Sequence, residues 1–127
     1  MAEGDEQVLA LVASGDHEGL AAALGQGARA DAADRWGVTA LMRAAARGDL
    51  SIAELLLESG ADPSKTSGVG NSPLMMAAAA GQAAVLKRLL AAGATSEARN
   101  RWGLGPREWS RWAADQGEIS ALLSAGR

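Results

Sequence analysis

The stretch that decides the fold reads Trp36-Gly37-Val38-Thr39-Ala40-Leu41-Met42-Arg43-Ala44-Ala45-Ala46-Arg47-Gly48, continued by Asp49-Leu50-Ser51-Ile52-Ala53-Glu54-Leu55-Leu56-Leu57-Glu58-Ser59-Gly60-Ala61-Asp62. Thr39 sits where its hydroxyl can accept a free backbone N–H, so a helix is predicted to start there. Ala44, Ala45 and Ala46 give that helix small side chains that let a neighbour approach closely. Gly48 supplies the positive φ that a tight reversal needs. A second helix follows, with Ile52, Leu55 and Leu56 on one apolar face and Glu54 and Glu58 on the solvated one. Gly60 closes it.

The same unit recurs. Gly60-Ala61 is matched by Gly27-Ala28 and Gly93-Ala94, and Gly15, Gly48 and Gly81 keep the same step of 33 residues. Thr39-Ala40-Leu41 returns as Ser72-Pro73-Leu74. A fixed period of this length marks a stacked repeat array. The pattern resembles the ankyrin repeat, with its consensus G-x-T-P-L-H-x-A-A-x-x-G, a leucine-rich helix and then G-A-D. The matching positions run from about Val8 to Gly126. The resemblance implies an all-α ankyrin-repeat solenoid of four helix-turn-helix units with short β-hairpin or loop fingers. It would be a single domain over 1–127, with an N-terminal cap at about 5–33, complete units at 34–66 and 67–99, and a C-terminal cap at 100–127.

Composition narrows the function. Among 127 residues, cysteine is absent, which removes disulfides, thiolate nucleophiles and zinc–thiolate sites together. Only 3% of residues are aromatic, all of them Trp, so the core is expected to be Leu, Ile, Val, Met and close Ala contacts. No stretch has the uncharged apolar length of a membrane span, and the acidic start Met1-Ala2-Glu3-Gly4-Asp5-Glu6 is wrong for a targeting peptide. A soluble, cytoplasmic protein is expected, with the nucleus as an alternative; both ends look finished, so the chain reads as complete in itself. The net charge of −3 and pI near 5.1 argue against nucleic-acid binding. The charge is also polarised: Glu3, Asp5, Glu6, Asp16, Glu18 and Asp31 face only Arg29 at one end. At the other, Lys87, Arg88, Arg99, Arg101, Arg107 and Arg111 face only Glu97 and Glu108.

Along the chain, Val8, Leu9, Leu11 and Val12 are expected to form the first inner helix, with Asp5, Glu6 and Gln7 on an exposed outer surface. Asp16 is a cap for the outer helix, which carries Leu20, Ala21 and Leu24. In the third unit Ser72 at the N-cap and Pro73 at N1 make a strong start for Leu74–Ala80, followed by Val85, Leu86, Leu89 and Leu90. Gly68 and Gly70 make the connector before it the most pliable one. In the fourth unit the turn glycine comes three residues late, at Gly117. Its inner helix is therefore predicted to be about one turn longer, with Trp109 and Trp112 on one face closing the last repeat, and the outer helix regains register through Ile119, Leu122, Leu123 and Gly126.

Catalytic constellations are missing from this pattern. His17 has no nucleophile beside it and reads as a solvated turn residue. Asp31 with Asp34, and Asp5 with Glu6, lack the ligand spacing of a cation loop. Gly68-Val69-Gly70-Asn71-Ser72 lacks the Gly-Lys-Ser/Thr ending of a phosphate loop. No enzyme activity, cofactor or metal is therefore expected.

Trp36 and Trp102 precede equivalent glycines two periods apart, near the fingertips that the resemblance places along a concave binding side. Each ring either anchors a partner or lies along its own hairpin and stiffens the stack. Arg35 and Arg101 flank them, Val69 makes the middle finger small, and Arg43 and Arg47 share a face of the second inner helix. Met42 and Met75 stand where the resemblance puts a histidine that bonds the turn backbone, so local hydrogen bonding should weaken there. They are either core filler or an adaptable groove. The expected contact residues are Arg35, Trp36, Val38, Arg43, Arg47, Val69, Asn71, Met76, Arg101 and Trp102. The resemblance implies a non-enzymatic module, monomeric on its own, that acts as inhibitor or adaptor on one protein partner with an acidic and apolar surface. The alternative is a small-ligand or anion-binding regulator built on Arg43 and Arg47.

Overall fold

The computed structural model describes residues 3–113 and 116–125. Helices follow in pairs: α1 (Glu3–Ser14) and α2 (His17–Gly25), α3 (Ala40–Arg47) and α4 (Leu50–Glu58), α5 (Pro73–Ala80) and α6 (Ala83–Ala91), then α7 (Pro106–Trp109), a 3₁₀ turn (Ser110–Trp112) and α8 (Gln116–Ala125). Packing runs α1 on α3 on α5 on α7 in an inner row, and α2 on α4 on α6 on α8 in an outer row. None of the helices among the described residues is long and apolar enough to cross a membrane.

The local signals act as expected. Thr39 Oγ1 accepts from the Met42 N–H and Ser72 Oγ from the Met75 N–H, each at 3.2 Å, which sets the start of α3 and α5. Asp16 and Asp49 cap α2 and α4 in the same way, from Gly19 and Ile52. Gln82, in the third equivalent place, caps nothing; its amide donates instead to the Ala46 carbonyl of the preceding unit at 3.5 Å. The outer helices α2, α4 and α6 end alike, with Ala28, Ala61 and Ala94 donating to the carbonyls of Ala23, Leu56 and Leu89 around a positive-φ glycine.

The core is a continuous strip. Val8, Val12, Leu20, Leu41, Ile52, Leu56, Leu74, Leu86, Leu89, Ile119 and Leu123 are fully buried, joined by Ala44, Ala45, Ala77 and Ala78, where the inner helices meet. Ala46 does not take part; it is exposed, as is Ala21, and Ala23 fills the buried place in α2. Met42 and Met75 are core residues. Where the missing histidine was expected to weaken local hydrogen bonding, the Thr39 N–H has the Met42 sulfur at 3.5 Å.

Between the pairs lie fingers without strands, marked among the described residues only by an antiparallel bridge between Ala33 and Thr39. Each tip is a turn with the same bonds at a step of 33. The N–H groups of residues 34, 67 and 100 donate to the carbonyls of 38, 71 and 104, and those of 37, 70 and 103 return to the carbonyls of 34, 67 and 100. Successive fingers are stitched together. Gly68 N–H donates to the Trp36 carbonyl at 2.9 Å, and Arg101 N–H to the Val69 carbonyl at 2.7 Å.

Four expectations are corrected. Asp5 is not on an exposed surface: it is 4% exposed, with a carboxylate oxygen 3.7 Å from Arg29 and accepting from the Ala33 N–H at 3.5 Å. A buried carboxylate needs such partners, and these tie α1 to the first finger. The fourth inner helix is not lengthened. After one α-turn it tightens to 3₁₀ geometry and ends at Ala113 with an extended ψ of 142°. The Ser110 hydroxyl donates to the Arg107 carbonyl at 2.6 Å, and the 3₁₀ turn eclipses positions three apart, bringing the Trp109 and Trp112 rings to 5.6 Å. Trp112 itself is 67% exposed, so it does not close the repeat by burial. Gly117 is the second residue of α8 and not a turn; Gly126 lies outside the described residues.

The finger stitching leaves little room at Gly70 (φ 86°), where an added Cβ would stand 3.0 Å from the Asn100 Cα. At Gly60 (φ 98°) nothing lies within 4 Å. Both positions are left-handed, so Gly60→Ala should lower stability by about 1 kcal/mol. Gly70→Ala adds a backbone clash and should lower it by about 2 kcal/mol or more, read from urea unfolding midpoints.

Candidate functional site

The fingertips enclose an open groove of about 510 Å³ lined by Arg35, Trp36, Gly37, Val38, Ser67, Gly68, Val69, Asn71 and Arg101. Among the described residues, two arginines line it and no carboxylate does. The groove exists because the middle finger is low: Gly68-Val69-Gly70 offers one valine between the tips that carry Trp36 and Trp102. Those two rings are 64% and 63% exposed, so neither is buried along its hairpin. The Arg35 guanidinium stacks on its own neighbour, 4.7 Å from the Trp36 ring centroid, which presents cation and aromatic face as one rigid unit.

What holds the tips is a polar residue at the base of each. Asp34 Oδ1 accepts from the Trp36 and Val38 N–H groups at 2.9 and 3.0 Å. Asn100 Oδ1 accepts from Trp102 and Leu104 at 2.9 and 3.0 Å, and Ser67 Oγ from Asn71 at 3.3 Å. These are side chains that bond their own turn two and four residues on. Asn100 also donates through Nδ2 to Asn71 Oδ1 at 3.0 Å, locking the last two fingers together.

Of the ten residues expected at the site, Arg35, Trp36, Val38, Val69, Asn71 and Arg101 share the groove, and Trp102 stands exposed on the next tip. The other three do not join them. Arg43 pairs with Asp34 Oδ2 at 2.8 Å. Arg47 turns the other way, to the Ala13 carbonyl at the C-terminal end of α1, where a cation complements the helix dipole. Met76 is half-buried against the core. The two arginines thus brace the finger and the first unit, and they do not converge on a common anion. His17 is exposed at the start of α2, with Nε2 3.1 Å from Asp49 Oδ2 of the next unit.

Ser67, Gly68 and Gly37 line the groove without having been expected there. For Ser67 the signal was present: Asp34, Ser67 and Asn100 are spaced by one period and are all turn-forming types. A second, more polar hollow of about 200 Å³ lies at the base of the fourth unit, lined by Ser96, Glu97, Arg99, Gly105, Arg107 and Glu108. It is closed by the Arg99–Glu108 pair at 2.7 Å, and Glu108 also takes the Gly105 N–H at 2.6 Å. That backbone bond, against the opposing pull of burial and with help from Arg99, lowers the Glu108 pKa.

A family model described as ankyrin repeats matches residues 7–100 in three copies. A comparison with curated proteins found no match. The fourth helix pair, beyond residue 100, lies outside the matched region.

Burial of Asp34 opposes its ionisation, but the Val38 and Trp36 N–H groups and Arg43 together outweigh this and lower its pKa. A carboxyl lowered in the folded state adds stability above the ordinary carboxylate range, and loses it as pH falls through the folded value. Asp34→Ala, which removes both tip bonds, should cost about 2 kcal/mol at pH 7. Asp34→Asn keeps the acceptor, as Asn100 does naturally, and should cost less than about 1 kcal/mol. That smaller deficit should shrink as pH falls below the ordinary carboxylate range and Asp34 becomes protonated, measured by thermal unfolding across acid and neutral pH.

Proposed function

The chain belongs to the ankyrin-repeat family, whose repeats are generally non-enzymatic modules for protein–protein interaction, and from that premise we propose that it binds one protein partner along its fingertip row. The observation that carries the reading is the groove with Arg35 and Arg101 in its lining, a low apolar middle at Val69 and no lining carboxylate. Such a surface fits a ridge with an apolar side chain over the middle finger and carboxylates on either side of it. Trp36 and Trp102 are the anchors, since a large rigid ring with one donor loses little entropy on contact.

Arg43, Arg47 and Met76 act behind this surface as braces, so the contact set is narrower than the sequence pattern implies. The action proposed is that of an inhibitor or adaptor, because one finger row of three tips offers room for one partner at a time. The proposal includes a cytoplasmic location, no catalytic activity and a monomeric free state. An anion-binding regulator has less support, because its two arginines are engaged apart from one another.

Wild-type protein should retain a stoichiometric partner from its native source, identified by mass spectrometry. With that purified partner, Trp36→Ala or Trp102→Ala should weaken the complex by about 2 kcal/mol or more in calorimetry. Arg35→Glu with Arg101→Glu should abolish it, and added salt should slow association. Binding that ignores all four substitutions would reject the fingertip row as the contact surface.

A further inference from the structure

The middle finger has one backbone donor that its own turn does not hold. In the first finger Asp34 Oδ1 accepts from the N–H groups two and four residues on, those of Trp36 and Val38. In the third, Asn100 Oδ1 does the same for Trp102 and Leu104. Ser67 occupies the equivalent place between them, and its hydroxyl, one bond shorter than a carboxylate or amide oxygen, reaches only the Asn71 N–H, at 3.3 Å. The Ser67, Gly68 and Gly70 N–H groups have carbonyl acceptors in Asn71, Trp36 and Ser67. That of Val69 has no acceptor among the described residues. Ser67, Val69 and Asn71 all line the fingertip groove, together with Arg35 and Arg101.

Resting on the reading that this groove holds a protein partner, we infer that the gap beside Ser67 takes a single carboxylate from the partner, an Asp or Glu side chain whose oxygen accepts from the Val69 N–H. The chain shows the same pairing made from within: at Asp34 a carboxylate caps this turn, and Arg43 neutralises it at 2.8 Å. One repeat later the place of Arg43 is taken by Met76, so the middle finger has no cation of its own for that charge. The cations lining the groove are Arg35 and Arg101, one from the finger on either side, and neither forms an ion pair among the described residues. A charged acceptor is favoured over a neutral one, because a hydrogen bond to an ion is the stronger. The free donor also selects against other partners. A partner covering the middle finger with apolar groups alone would shut the Val69 N–H away from water with no acceptor, at a cost that a carboxylate avoids.

The test uses random twelve-residue peptides displayed on phage and selected on the full chain. Ser67→Asn places on the middle finger the residue type that Asn100 supplies on the third, filling the gap from within and leaving the charge unchanged. It should raise the thermal unfolding midpoint by about 3 °C, since one further N–H gains an acceptor, and weaken the selected peptides tenfold or more. In those peptides, exchanging one particular Asp for Asn or Glu for Gln should weaken binding by a similar factor. Combined with Ser67→Asn, the same exchange should cost less than twofold further, the mark of a shared contact. The Val69 amide resonance should move when peptide is added to the wild-type protein and stay in place for the peptide lacking that carboxylate. Peptides that are lost with Trp36→Ala but bind the Ser67→Asn protein at wild-type strength would overturn the carboxylate slot and leave the groove reading intact. Peptides indifferent to both substitutions would overturn slot and groove together. An unfolding midpoint that does not rise with Ser67→Asn, additive losses in the paired exchanges, or a library that yields no acidic peptide would each overturn the slot as well.

Discussion

Each helix pair in this chain has an apolar side that only the next pair can cover. That dependence underlies everything else. The inner helices meet through Ala44, Ala45, Ala77 and Ala78, side chains too small to keep the backbones apart, and Leu and Ile from the outer helices fill the space between the rows. The close approach brings successive fingers within hydrogen-bonding range, so the rungs from Trp36 to Gly68 and from Val69 to Arg101 are consequences of alanine packing beneath them. Stability in such an array is a chain of neighbour terms, and the fingers inherit their spacing from it.

The candidate binding surface is rigid for the same reason. Asp34, Ser67 and Asn100 hold their tips by bonds within the turn, while Asn100 also reaches Asn71 in the preceding finger. The aromatic and cationic groups at the tips therefore project from turns that are braced twice, once locally and once through the neighbour. A partner meeting this surface would lose little freedom in ordering it. The ends of the row are where bracing stops. At the first unit Asp5 takes over, drawn inward by Arg29 and the Ala33 N–H.

The fourth helix pair shows what happens when the period is broken. Its three extra residues do not extend the inner helix: after one α-turn it tightens to 3₁₀ geometry, with the Ser110 hydroxyl on the Arg107 carbonyl and the two Trp rings brought together. The chain instead leaves the helix early, and Gly117 falls inside α8.

How much was legible depended on how far each interaction reaches along the chain. The period, the helix pairs, the Thr39, Ser72 and Asp16 caps and the apolar faces of the outer helices could all be read from the sequence, since each is settled by residues within about a turn of one another. The tips holding Trp36 and Trp102 were legible for the same reason. The destinations of long side chains were not. Arg47 bonds a carbonyl 34 residues away and Asp5 an amide 28 residues away, and the pattern around either residue does not announce its partner. Arg43 and Arg47 look alike on one helical face, and the stacked structure turns one toward the finger and the other toward α1. Local chemistry in the sequence thus determined the units and their repeat, whereas the stacking of units decided which charges stay free and how low the middle finger lies.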